Sequence, residues 1–188
     1  MPVYSGPKTL RSLTIGNILR NIEFFCKNYV RDFGDKFIRF VEGPFDCLTP
    51  KDCYLILNEL ATRKVLKKHH IYLLVNPYLD CINLSAVKDI SKSKLILELA
   101  IIRCQRLNKV ILRHSNDFTN IFLQNVDILN NLKELELPET RLSNEDVGMI
   151  GLHAVNLQYL NLMDTRCGNN GLRTLFLQVN PDGKHIRK

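Results

Sequence analysis

The dominant pattern in the chain is a six-residue alternation of apolar and polar positions that occurs four times. It reads Leu79-x-x-Ile82-x-Leu84, Leu107-x-x-Val110-x-Leu112, Leu132-x-x-Leu135-x-Leu137 and Leu157-x-x-Leu160-x-Leu162. The starts are 28, 25 and 25 residues apart. Each hexad ends in the two-residue period of a strand and is too short for a helix, so it predicts a short strand with one apolar face. Between hexads the period lengthens. Val147, Ile150 and Ala154 have helical spacing, and Leu172, Leu175 and Val179 stand 25 residues later at equivalent positions. Ser143, followed by Asn144-Glu145-Asp146, predicts a helix N-cap with acids in the first turn.

A strand-and-return unit repeated every 25–28 residues lies within the 20–29 residue period of leucine-rich repeats. No single unit can bury its own apolar face, so the units must stack. The expected fold is therefore α/β: a leucine-rich-repeat solenoid of about four repeats over residues 77–180, then a polar tail over residues 181–188. A fifth hexad would start near Asp182, where the chain reads Asp-Gly-Lys-His-Ile-Arg and the apolar pattern is absent. The polar segment is either a crude cap or a sign that the chain is part of a longer array, and the sequence favours the second.

The first 76 residues do not share the repeat. Residues 1–17 read as a flexible N-terminus and residues 18–76 as a helical cap or adaptor. Ile18, Leu19, Ile22, Phe25, Cys26, Tyr29, Val30 and Phe33 keep helical spacing up to Gly34. Thr49-Pro50 predicts a second helix start, with proline at the first helical position. Cys53, Leu55, Ile56, Leu57 and Leu60 then supply an apolar face, and a third short helix covers Lys68 to Val75.

Within the first helix, Ile22-x-x-x-Cys26-x-x-x-Val30 places two aliphatic residues and a cysteine on one stripe. This resembles the BC box by which substrate receptors dock onto elongin C in cullin–RING ubiquitin ligases. The order of elements is similar too: a cysteine-bearing helix, a loop, the Leu48-Thr49-Pro50 helix start, a charged turn, then leucine-rich repeats. That layout resembles the N-terminal part of the Zyg/Zer group of cullin–elongin receptors and of the Amn (antagonist of mitotic exit network) family. The resemblance covers roughly residues 18 to 180. It implies a substrate-recognition or adaptor subunit of a cullin–RING ligase, with elongin B/C docked at Ile22, Cys26 and Val30, a cullin selected through Leu48 and Pro50, and an unknown protein substrate. Two alternatives stand beside it: a leucine-rich-repeat binding module whose helices are only a cap, and an F-box-type adaptor. About 28 residues between Pro50 and Leu79 are few for an F-box, and the chain has no tryptophan.

Composition changes this picture little. At 45% hydrophobic and 24% charged, the 188 residues can build a packed core. No run of 18 apolar residues and no charged-then-apolar leader occurs, so no membrane association is expected and the compartment reads as cytoplasmic or nuclear. The net charge of +7 is diffuse, and no groove-reading or base-stacking motif makes nucleic acid a natural partner. Cys26, Cys47, Cys53, Cys81, Cys104 and Cys167 form no C-x-x-C pair and read as reduced, mostly buried thiols. No hydrolase, phosphate-loop or zincin motif is present, so neither an enzyme nor a cofactor is expected. His69-His70 offers metal-ligand chemistry but reads as a surface pair, since adjacent side chains on a helix diverge by about 100°.

The outward positions of the strands are the expected binding surface. Lys109, Ile111, Arg113 and His114 make a basic second repeat, and Glu134, Glu136 and Glu139 an acidic third. Tyr159, Asn161, Met163 and Asp164 follow on the fourth. The opposite charges can neutralise each other across the ladder. The surface would suit a peptide of mixed charge, with Tyr159 and Met163 as apolar anchors.

Overall fold

A computed structural model describes residues 9–38, 41, 43–113, 121, 123–125 and 131–176. His114, Val179 and the 181–188 tail lie outside these residues. The chain divides into two units between Asn76 and Pro77, where helical spacing gives way to the hexads. The architecture is mixed α/β.

The first unit is helical: α1 (Leu10–Arg20), α2 (Ile22–Phe37), α3 (Pro50–Thr62) and α4 (Lys68–Leu74). Two expectations are corrected here. Residues 10–17, read as flexible, are helical, with the Thr9 hydroxyl capping the Ser12 N–H. The single helix expected from Ile18 is two helices, broken at Asn21 (φ −113°, ψ 17°). The Asn21 side chain donates to the Asn17 carbonyl at 3.0 Å and to the Asn17 amide oxygen at 2.9 Å. Such local side-chain bonds compete with helix continuation. Gly34, where the helix was expected to end, interrupts α2 with φ +57°, a conformation glycine adopts without steric cost.

The start of α3 follows the sequence reading. The Thr49 hydroxyl accepts from the Asp52 N–H, and Pro50 occupies the first helical turn, where its missing N–H is not needed. Cys53, Ile56, Leu57 and Leu60 are buried, following the i, i+3, i+4, i+7 stripe. Leu55 falls off that stripe and is exposed. Phe45, in the loop before α3, is buried and meets Phe25 edge-on at 6.4 Å.

The second unit contains β1 (Cys81–Asn83), α5 (Ile90–Arg103), β2 (Lys109–Ile111), β3 (Glu134–Glu136), α6 (Asn144–His153), β4 (Tyr159–Asn161) and α7 (Asn169–Phe176). The strands form a parallel sheet in the order β1-β2-β3-β4, each paired with its sequence neighbour. The register aligns Ile82, Val110, Leu135 and Leu160, the equivalent positions of the four hexads. Ile82, Val110 and Leu135 make one buried row, and Leu160 is half-buried.

Backbone hydrogen bonds repeat at the same spacing. The carbonyls of Asp80, Asn108 and Lys133 each accept two N–H groups from the start of the next strand. Leu84, Leu112 and Leu137 each donate to the following strand's last residue or its equivalent: Ile111, Glu136 and Asn161. Thr140 and Thr165, 25 apart, bond the Leu137 and Leu162 carbonyls through their hydroxyls at 2.7 and 2.8 Å. Glu139 and Asp164, also 25 apart, both adopt left-handed φ of 58° and 55°.

Helix α6 begins as read. Ser143 and Asp146 cap each other's backbone N–H groups, satisfying two donors that a helix N-terminus leaves open. Val147, Ile150 and Ala154 are buried. On α7 Leu175 is buried, but Leu172 is exposed against expectation. The six cysteines are free thiols; Cys26, Cys53 and Cys104 are buried, whereas Cys47 is exposed and Cys81 and Cys167 are half-exposed.

Candidate functional site

Strand alternation sends the residues flanking the buried row to the opposite, open face of the sheet. One lateral row is Cys81, Lys109, Glu134 and Tyr159, and the other is Asn83, Ile111, Glu136 and Asn161. The structure thus brings the predicted open-face residues together. Their charges are used internally. Lys109 Nζ lies 2.7 Å from Glu134 Oε2 and 3.0 Å from Glu136 Oε1, and the two carboxylates hold its pKa above the ordinary lysine range. Arg113 donates through Nε and Nη2 to Glu139 Oε1 at 3.0 and 2.6 Å. What remains outward is mostly apolar and amide surface, with exposed Asp164 beside it: Tyr159 is 50% exposed and Met163 54%, next to half-buried Ile111 and Asn161. The Asn161 side-chain oxygen accepts from the Met163 N–H at 2.9 Å, fixing the chain as it leaves β4.

The stripe expected to dock elongin C does not form a surface. Ile22 and Cys26 are buried, and only Val30 is partly accessible. Docking through all three would require α2 to part from α4. Leu48 is half-buried and donates its N–H to the Phe45 carbonyl at 2.9 Å, and Pro50 is half-buried in the α3 start.

What covers Cys26 is a polar cluster that the sequence reading missed. Its thiol and the ring nitrogens of His69 and His70 lie within 4.8 Å of one another. The histidines are not a surface pair: their side chains are 15% and 1% exposed, and the rings meet edge-on at 4.3 Å. They converge because His70 occupies the first turn of α4 and turns back, its Nδ1 accepting the Lys67 N–H at 3.1 Å. Glu23, one turn before Cys26, faces both rings. Its Oε1 is 2.7 Å from Lys67 Nζ and 3.2 Å from His70 Nε2, and its Oε2 is 3.5 Å from His69 Nε2.

Electrostatics follow from this burial. Desolvation, with the Glu23 charge adding to it, pushes the Cys26 thiol up to about 12. Desolvation and the neighbouring His69 push His70 down to about 4, so it is neutral near pH 7. Desolvation alone would raise Glu23, but the Lys67 hydrogen bond and the histidines outweigh it and hold the carboxyl below its usual range. A hint was present in the sequence: Glu23-x-x-Cys26 sits on one helix face, and adjacent histidines at a helix start need not diverge as they do mid-helix.

No family model, no curated protein and no solved structure matches this chain. Among the described residues, no helix is long and apolar enough to cross a membrane.

Proposed function

We propose that the chain is a protein–protein interaction module in which residues 77–180 form a leucine-rich-repeat array and the open sheet face holds a partner. The observation that carries this reading is the state of that face. Its lysine and arginine are each paired with carboxylates, while Tyr159 and Met163 stand exposed next to Asn161. Exposed aromatic and thioether side chains on rigid strands are the kind of anchor that dominates binding energy. The repeat reading is supported by the 25–28 residue hexad spacing and by hydrogen bonds that recur at it.

The test is selection of peptide ligands against the purified protein, followed by Tyr159→Ala/Met163→Ala. The double variant should weaken binding at least tenfold, while Leu152→Ala, at an exposed position of α6, should leave it unchanged. Ligands that bind both variants equally would refute the assignment of the open face.

The narrower reading is an adaptor for a cullin–RING ligase. It is supported by the Thr49-Pro50 helix start behind the cysteine-bearing helix, and it accommodates the burial of Cys26 only if α2 opens to expose Ile22, Cys26 and Val30. Co-expression with elongins B and C tests it. A complex that survives gel filtration and is lost on Val30→Asp supports the adaptor; separate elution of the wild-type protein refutes it.

A further inference from the structure

Cys26, His69 and His70 form the only group of three or more histidine, cysteine or acidic side chains among the described residues that converges closely enough to hold a metal ion. The group joins α2 to α4, from segments more than forty positions apart in the chain. The Nε2 atoms of His69 and His70 are both shut off from solvent. Glu23 Oε1 lies 3.2 Å from His70 Nε2 and can take its proton, whereas His69 Nε2 has no hydrogen-bond partner among the described residues and only the more distant Oε2, at 3.5 Å, facing it. A buried ring nitrogen without such a partner is uncommon in native cores and needs an explanation.

We propose that Cys26 Sγ, His69 Nε2 and His70 Nε2 bind a single zinc-class divalent ion, with Glu23 Oε2 completing a four-coordinate set. Thiolate and imidazole together select a borderline-soft ion over calcium or magnesium. The thiolate and the Glu23 carboxylate together match the charge of a dication, with Lys67 beside Glu23 leaving the site one positive charge in excess. Glu23 can serve both sides, because Lys67 occupies Oε1 and leaves Oε2 toward His69. Zinc–sulfur and zinc–nitrogen bonds of about 2.3 and 2.0 Å require ligand separations of about 3.5 Å, so Cys26, His69 and His70, now within 4.8 Å of one another, have to draw together by about 1 Å, and Glu23, outside that group, has to swing in. A shallow cleft lined by Glu23, Phe24, Lys27, Val30, Arg31 and His69 reaches the Glu23 and His69 edge of the group.

Binding has a defined proton balance. The thiol proton of Cys26 leaves to solvent as the sulfur–metal bond forms. Without the ion, His70 Nδ1 accepts the Lys67 N–H, so the ring proton sits on Nε2. With the ion on Nε2 that proton moves to Nδ1, and the Lys67 N–H loses its acceptor. The start of α4 therefore responds to the metal.

The experiment uses untagged full-length protein under reducing conditions. It should retain about one zinc per chain by elemental analysis after dialysis. After chelation, added cobalt(II) should give a thiolate-to-cobalt charge-transfer band and the intense visible bands of a four-coordinate ion, and zinc should displace it. Cys26→Ala keeps a small apolar residue in the core. It should abolish the charge-transfer band and weaken zinc by more than the roughly 10–100-fold that loss of an outer partner costs. A Cys47→Ser/Cys81→Ser/Cys167→Ser variant should bind as wild type, and amide exchange at Lys67 should speed up with metal. A wild-type protein that retains no zinc and gives no thiolate band with cobalt overturns the proposal, as does a folded Cys26→Ala variant that binds zinc normally.

Discussion

Truncation of Leu135 tests the stacked row directly. Leu135 is fully buried at the centre of β3, between Val110 of β2 and Leu160 of β4. Leu135→Ala removes methylene-sized groups worth about 0.8 kcal/mol each, roughly 2.4 kcal/mol for the side chain. Neighbouring strands are tied by backbone bonds on both sides and relax little, so a cavity contribution brings the expected loss to about 3–4 kcal/mol. Leu160 holds the same position one repeat later but is only half-buried. Leu160→Ala should therefore cost about half as much. Urea unfolding followed by far-ultraviolet circular dichroism measures both, fitted to two transitions because the chain contains two units. The reasoning fails if Leu160→Ala costs as much as Leu135→Ala, or if Leu135→Ala costs less than about 1 kcal/mol.

Three further outcomes are expected. Lys109→Met leaves Glu134 and Glu136 facing each other without their cation; it should cost up to about 1 kcal/mol at low salt, and urea midpoints should show the loss shrinking as salt screens the carboxylates. Ser143→Ala breaks the reciprocal cap of α6 and should lower stability by about 1 kcal/mol, an effect that Ser143→Thr largely restores in the same assay. Asp89 caps α5, and its bonds from the Ser91 side chain and from Lys92 hold its carboxyl down at about 2. Because that value lies below the ordinary one of about 3.9, the cap contributes fully above the ordinary value and is lost as pH falls through about 2. An acid titration of thermal midpoints should show Asp89→Asn converging on wild type below that point.

Local patterns were legible where the physics is local. The hexads named the central residue of every strand, because alternation and burial are read from neighbours two positions away. Thr49-Pro50 and Ser143 named their helix starts, because capping involves residues only three apart. The same reading failed where distant segments decide. Leu55 and Leu172 are apolar but sit off the buried stripe, and Asn21 breaks a helix that apolar spacing alone would continue. Cys26 matched an interaction motif by spacing, yet it is covered by α4, whose histidines follow more than forty residues later. Their convergence depends on His70 capping the Lys67 N–H, a first-turn geometry that mid-helix angles do not describe.

The ion pairs on the open face have a consequence for what a partner senses there. Arg113 and Glu139 cancel, but Lys109 answers only one of the two carboxylates beside it and Asp164 is exposed, so the face keeps a slight negative excess whose reach is the Debye length, about 8 Å at physiological ionic strength. An approaching molecule meets a mildly acidic surface and senses it only within that distance. Recognition at Tyr159 and Met163 then rests mainly on contour and contact, with only a weak electrostatic bias that salt removes.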